Sequence, residues 1–368
     1  MTIAGVEAIG ERLVEARRNL HRQECDALLL TIGSDLEYLT GYSALPLERL
    51  TMMVLSADPD PVLVLPALEA PGFTTGGNTV ESRPWAETDD PLAIVDSLLG
   101  DAQTAAISDE AWATFVLGLQ ERRPGLQLRR ASSIVAPMRR VKDAGEQRAL
   151  VEVGAAADRV METIQRGQIP LVGRTERDVA ETVRRALLES GHESVEFVIV
   201  AAGPNAASPH HFPSEREIQP GELVLFDFGG RRAGYNSDTT RCVAVGNVGA
   251  EVDEAYQVLQ AAQEAGVNAA RVGLSCQDVD RAARSVIDAA GYGEQFLHRT
   301  GHGIGLNVHE TPFMIEGNEL PIEPGFAFSV EPGIYVEGKW GMRIEDIVIV
   351  TDGEPIKCNT SSRQLVRF

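Results

Sequence analysis

The sequence predicts an α/β (α+β) protein built from two domains. Three observations carry this expectation. The chain has 368 residues, more than one hydrophobic core ordinarily serves. Its first third alternates short apolar runs with stretches of helical periodicity, the pattern of a mostly parallel or mixed sheet covered by helices. Around Ser132 to Asp143 the character then changes, as Pro137 and the basic run Arg139-Arg140-Val141-Lys142 lead into a long helical pattern. The expected domains are therefore 1–138 and 139–368.

In the first domain, residues 7–23 space their apolar side chains as an amphipathic helix does. Asp26 to Thr31, Leu50 to Ser56 and Pro61 to Leu65 are apolar runs bounded by turn residues, and they read as buried strands. Leu36 to Tyr42 reads as a short helix ended by Gly41. A helix over Asp90 to Leu99, a strand over Thr104 to Ile107 and a helix over Glu110 to Leu119 complete the domain. The second domain opens with helices over Ala144 to Ile164 and Glu176 to Ser190. Thr175 is the expected N-cap of the latter, with Asp178 three residues on. Strands are expected at Phe197 to Ala201, Leu223 to Phe228 and Arg241 to Val245. Two further helices, Val252 to Arg271 and Cys276 to Ala290, precede strands at Phe326 to Val330, Gly333 to Val336 and Met342 to Val350. Helix pair, strands, helix pair, strands is a repeated α/β pattern without a visible sequence repeat.

The formal net charge of −21 argues against nucleic acid as a partner, because phosphate contacts require clustered Lys and Arg. An acidic surface alone accounts for such a charge. The other reading is that some carboxylates hold cations, and only their positions separate the two. No run of 18 apolar residues appears, so no membrane span is expected. The first twenty residues carry Glu and Arg at helical spacing rather than a secretory signal. Cys25, Cys242, Cys276 and Cys358 are scattered and form no CxxC pair. A cytoplasmic protein with reduced thiols is the expectation.

Five of the seven histidines lie between positions 210 and 309, three of them in the stretch from His298 to Glu310. That stretch also contains Gly301, Gly303 and Gly305, and glycine lets a backbone bend tightly or approach another group closely. Histidine suits both metal ligation and proton transfer near neutral pH. The GxGxG spacing is no dinucleotide fingerprint, since no helix follows it. Three acids stand inside or at the end of apolar strands: Asp227 in LVLFDF, Glu331 in FAFSVEPG and Glu345 in MRIEDIVIV. An unpaired buried carboxylate costs several kcal/mol. Singly, each acid reads as pointing to water; together with the histidines they suggest a shared cation. Asp238 lies eleven residues after Asp227 across a glycine-rich turn, and a hairpin brings such positions together. Four carboxylates and one imidazole (Asp227, Asp238, His302, Glu331 and Glu345) suit two divalent ions of the harder transition-metal type.

The segments FDFGG…NSDTTR, TGHGIGLNVHE, VEPGIY and RIED resemble, in order and spacing, the metal-binding signature of the pita-bread metallopeptidases (family M24). That family includes methionine aminopeptidase, aminopeptidase P and prolidase. DALLLT, YLTGY and PVLVLP in the first domain are similar to the creatinase-like N-terminal domain of the Xaa-Pro branch. The resemblance implies a creatinase-like α/β domain followed by a pita-bread catalytic domain. It implies two divalent ions, manganese foremost with cobalt or zinc as alternatives. Asp227 would hold one ion, Asp238 and Glu345 would bridge both, and His302 and Glu331 would complete the other. Glu331 would also take the proton from a metal-bridging hydroxide's parent water. His309 would stabilise the tetrahedral intermediate, and His298 would contact substrate or serve structurally. His210, in preference to its neighbour His211, would sit near the substrate's amino end. Arg343 would pair with a ligand carboxylate or with the substrate carboxylate. Arg49 would read a free substrate carboxylate, in its own or a neighbouring subunit's site, or lie idle on a surface loop. The implied activity is that of an Xaa-Pro dipeptidase acting on short proline-containing peptides, with a homodimer implied by the family alone. Xaa-Pro aminopeptidase is the alternative. A metal-free creatinase-like hydrolase and a non-enzymatic binding protein on the same fold are remote ones.

Overall fold

Strands whose two faces are both apolar must be covered on both sides, and this governs the first unit of the chain. A computed structural model describes residues 6–56, 60–73 and 80–368, and the chain divides into two units between Arg139 and Arg140. In the first unit α1 (Val6–Arg22), β1 (Ala27–Thr31), α2 (Ser34–Thr40), β2 (Met52–Ser56) and β3 (Val62–Pro66) are followed by β4 (Glu81–Trp85), α3 (Pro91–Leu98), β5 (Thr104–Ile107), α4 (Ala113–Arg122), β6 (Gln127–Arg130) and α5 (Ser132–Arg140). They build one mixed sheet in the order β4-β3-β2-β1-β5-β6. Helix α1 buries Ile9, Leu13, Ala16 and Leu20, one stripe at helical spacing. Gly41 closes α2 in the left-handed region, φ 70°, where glycine carries no Cβ penalty.

Two strands of the first unit that were not expected from sequence share a cause. Strands β4 and β6 lie at the two sheet edges, and most of their residues are exposed or half-exposed. They therefore carry no apolar pattern. Pro137 lies inside α5 rather than beyond a helix end, although proline donates no hydrogen bond.

The second unit repeats one design. Helices α6 (Ala144–Gln165) and α7 (Glu176–Glu189) precede β7 (Ser194–Ala202), β8 (Leu223–Arg232), β9 (Tyr235–Asn236) and β10 (Thr239–Ala244). Helices α8 (Ala250–Asn268) and α9 (Cys276–Ala289) precede β11 (Gly301–Gly303), β12 (Glu310–Met314), β13 (Ala327–Val330), β14 (Gly333–Val336), β15 (Trp340–Arg343) and β16 (Asp346–Ile349), with β17 (Ile356–Lys357) and β18 (Val366–Arg367) closing the chain. The second helix of each pair starts alike. Thr175 Oγ1 accepts from the Asp178 amide at 3.1 Å, and Ser275 forms a capping box with Asp278. The residue at each cap also makes a single antiparallel bridge, Thr175 to Glu217 and Ser275 to Pro321. The halves form separate sheets, β18-β10-β8-β7 and β12-β11-β13-β16-β17. They meet where the Glu345 amide donates to the Thr240 carbonyl at 3.1 Å.

That junction explains the main departure from the expected strands. Met342 to Val350 is not one strand. β15 pairs with β14, β16 pairs with β13, and Ile344-Glu345 lies in the change-over between them. Strands β11 and β12 were not expected either: β11 is a glycine run without strand periodicity, and β12, ETPFM, shows no apolar alternation that marks a strand. Here the glycines serve close backbone approach. A Cβ on Gly301 would stand 1.8 Å from the Ser329 carbonyl oxygen, and one on Gly303 would stand 2.5 Å from that of Thr311. Gly301→Ala must therefore push β11 away from β13. Its expected effect is a loss of about 2–4 kcal/mol of stability, measured by denaturant unfolding.

Candidate metal centre

Each half of the second unit delivers acids to one place. Asp227 lies on β8 opposite Thr240 of β10. Asp238 follows β9, whose Asn236 side chain donates to the carbonyls of Gly305 and Leu306 at 3.0 Å each. That contact ties the first half's hairpin to the histidine stretch. From the second half come His302 on β11, Glu331 just after β13, and Glu345 at the change-over between β15 and β16. Asp227, Asp238, His302 and Glu345 are all at least 93% buried.

The donor atoms form overlapping triads. Those of Asp227, Asp238 and Glu345 all lie within 4.8 Å of one another, as do those of His302, Glu331 and Glu345. Asp238, His302 and His309 make a third such group. Glu345 belongs to the first two, Asp238 to the first and third and His302 to the second and third, so the triads share donors and form one continuous cluster. Burial, together with neighbouring carboxylates, pushes the Asp238 and Glu345 carboxyls well above their usual range. Burial raises Asp227 too, although Arg343 opposes it. Burial would also raise Glu331, but its hydrogen bond to His302 and the nearby charges of His302, His298 and Arg343 carry it down to about 2.

The residues fit divalent cations on two observations. Asp227 Oδ1, Asp238 Oδ1 and Glu345 Oε1 are buried without a hydrogen-bond partner, and buried acceptors require one. His302 Nδ1 lies 3.1 Å from the Gly303 carbonyl, which can only accept, so Nδ1 carries the proton. Nε2 faces Glu331 Oε1 at 3.1 Å and Asp238 Oδ2 at 3.7 Å. A second proton on the ring makes the hydrogen bond to Glu331, and a divalent cation can take that proton's place between the ring and the acids.

Neighbouring side chains fix the donors. Arg343 Nη2 donates to Asp227 Oδ2 at 2.5 Å, Nε to Thr240 Oγ1 at 3.1 Å and Nη1 to the Tyr335 hydroxyl at 2.7 Å. Thr240 Oγ1 in turn donates to Glu345 Oε2 at 2.7 Å. Ser329 Oγ accepts from the His302 amide and donates to Glu331 Oε1, both at 2.9 Å. Below Glu345, the fully buried pair Arg241–Asp346 is held at 2.6 Å, and Arg241 Nη1 donates to the Glu345 carbonyl at 2.6 Å. Thr240, Ser329, Tyr335 and Arg241 carried no expectation. Their one sequence signal is that polar residues stand in otherwise apolar strands.

A cavity of about 1130 Å³ opens over the cluster, and all five candidate ligands line it with His210, His298, His309 and Arg343. The ring of His309 lies 3.9 Å from that of His302. Desolvation and the His302 charge hold His309 down to about 4. Both nitrogens of His298 are engaged, Nδ1 by the Arg299 carbonyl at 2.7 Å and Nε2 by the Tyr335 hydroxyl at 2.8 Å. His211 pairs with Glu176 at 2.8 Å. Arg343 spends its donors largely on Asp227, Thr240 and Tyr335, so of the two roles expected for it the ligand-pairing one is what the geometry provides. Arg49, in the first unit, pairs with Glu48 and Glu87 at 2.8 Å each. Arg299, which nothing in its local sequence marks, also lines the cavity. Its guanidinium stacks 4.2 Å over the Phe313 ring and forms no ion pair among the described residues.

Residues 147–352 match the metallopeptidase family M24, and residues 12–141 match the creatinase/prolidase N-terminal domain. The chain is 43% identical over 344 residues to the probable dipeptidase PepE of Mycobacterium tuberculosis, covering 92% of this chain and 91% of that protein. It is 38% identical over 329 residues to the Xaa-Pro dipeptidase of Lactobacillus helveticus, covering 86% and 88%. The crystal structure of dipeptidase PepE from Mycobacterium ulcerans superposes with a TM-score of 0.92 at 41% identity, over 98% of both chains.

Like charges buried together oppose folding until a cation joins them, which gives a paired prediction. Asp238→Asn should raise the melting temperature of the metal-free protein, a gain of about 1 kcal/mol or more. It should also abolish most of the further rise that a divalent ion produces in the unaltered protein. Thermal melts with chelator and with added manganese measure both.

Proposed function

The chain belongs to metallopeptidase family M24, and from that membership we propose that it is a dinuclear Xaa-Pro dipeptidase. It would hydrolyse the bond before proline in dipeptides. One observation carries the choice of a dipeptide: Arg299, a cation with no ion pair among the described residues, lines the cavity beside the acid cluster. A dipeptide's own carboxylate lies one residue from its scissile bond, and a guanidinium is suited to pair with it. Arg343 and Arg49 are the weaker candidates for that task, because carboxylates already engage both.

Asp227, Asp238, His302, Glu331 and Glu345 would hold two divalent ions. The preponderance of carboxylate oxygens favours manganese, with cobalt or zinc as alternatives. When bound, such ions supply Lewis-acid polarisation of the scissile carbonyl and a more acidic attacking water. The remaining work falls to the chain. Glu331, ionised by its surroundings, accepts the proton of the attacking water and returns it to the proline nitrogen as that bond breaks. That nitrogen is a tertiary amide with no N–H of its own, so it departs as an amine only when protonated. His309, a neutral imidazole at the cavity wall, donates a hydrogen bond to the carbonyl oxygen as negative charge develops there. His210 receives the substrate's amino end. His298 acts through Tyr335, which holds Arg343 and hence Asp227.

Xaa-Pro aminopeptidase is the second reading. The test compares kcat/KM for an Xaa-Pro dipeptide and its Xaa-Pro-Yaa extension. The dipeptide should be favoured, and Arg299→Gln should raise its KM by roughly tenfold or more while affecting the tripeptide less. Equal or better tripeptide cleavage would assign the aminopeptidase instead.

A further inference from the structure

The loop after β7 carries His210 to the cavity; its later part, 214–218, pairs through backbone hydrogen bonds with 173–177, whereas the part around His210 has no such ladder among the described residues. Its regular structure is a short 3-10 turn, Gly203–Ala207. Phe212, also on the cavity wall, is 87% exposed. Side-chain hydrogen bonds on both sides of His210 converge on one carboxylate, that of Glu176.

Glu176 is the first residue of α7 and is fully buried. Its Oε1 accepts from the Ala202 amide at 2.9 Å. Its Oε2 accepts from His211 Nε2 at 2.8 Å, from Ser214 Oγ at 2.7 Å and from the Ser214 amide at 3.1 Å. The Asn205 side-chain amide reaches both oxygens at 3.1 Å. Ala202, Asn205, His211 and Ser214, which flank His210 on both sides, are thus gathered onto a single side chain. Its charge is favoured at a helix N-terminus, and these hydrogen bonds overcome burial to hold its carboxyl below the usual range. Next to His211 in the turn, His210 makes no hydrogen bond among the described residues and faces the cavity. The Pro209 carbonyl meets Arg343 Nη1 at 3.5 Å, so the loop also touches the partner of Asp227.

We propose that Glu176 and His211 are positioning residues for substrate capture, the Glu176–His211 contact committing one histidine of the pair to the scaffold so that His210 is presented to the substrate. This rests on the dipeptidase reading above. It assigns adjacent, chemically identical side chains opposite tasks, with the fully buried carboxylate deciding between them.

The test is a kinetic cycle on the metal-loaded enzyme with an Xaa-Pro dipeptide. His211→Leu should raise KM by about tenfold with kcat changed less than about threefold. His211→Gln keeps an N–H near the Nε2 position and should recover most of that loss. Glu176→Gln, which turns an acceptor into a donor facing Ser214 and His211, should raise KM as His211→Leu does. Introduced into His210→Ala, His211→Leu should add less than about a twofold change, because the side chain it positions is gone. The proposal is overturned if His211→Leu leaves KM within about twofold of the unaltered enzyme. It is equally overturned if the variant raises KM by the same factor with and without His210, or if His211→Gln is folded and no better than His211→Leu. An unaltered enzyme that does not cleave the dipeptide overturns the dipeptidase reading itself, and this assignment with it.

Discussion

The structure depends on three carboxylates buried against one another. Asp227, Asp238 and Glu345 lie within a few ångströms inside the second unit. Two like charges about 4 Å apart repel by about 4 kcal/mol even at an effective dielectric of 20. Arg343 is close enough to relieve part of this, but it is committed to Asp227. The oxygens left without partners are distributed over all three acids. Such an arrangement is a poor way to stabilise a fold and a good way to hold divalent ions.

The duplicated design makes the arrangement possible. Asp227 projects from the middle of β8, while the other acids stand where strands run out of ladder partners or change sheets. Asp238 sits between β9 and β10, Glu331 just beyond β13, and Glu345 where the chain passes from one sheet to another. At each point the backbone is secured by something other than a regular ladder. Asn236 binds the Gly305 and Leu306 carbonyls, Ser329 bridges His302 and Glu331, and the buried Arg241–Asp346 pair grips the Glu345 carbonyl. The donors are thus mounted on rigid elements with their own supports, the condition for a preorganised site.

Much of this was legible in the sequence because it violates local rules. An acid within LVLFDF or MRIEDIVIV contradicts the strand around it, and the contradiction marked Asp227 and Glu345. The turn GGRRAGYNSD brought Asp238 into view. What escaped was locally unremarkable. β4 and β6 are edge strands with polar faces. β11 exists because its glycines admit the Ser329 and Thr311 carbonyls, a tertiary fact with no periodicity. The division of Met342 to Val350 into two strands depends on Thr240, about a hundred residues earlier in the chain. Glu176 looks like any acid in a helix's first turn, and Arg299 like any charge in a loop. Their significance lies in what surrounds them, from elements distant in sequence.

The most direct test of the account is the number and place of the ions. Purified chain stripped of metal, then equilibrated with manganese, should take up two ions per chain. Anomalous diffraction should put both among Asp227, Asp238, His302, Glu331 and Glu345, with Glu345 touching both. No bound ion, or ions seated away from these five side chains, would contradict the account.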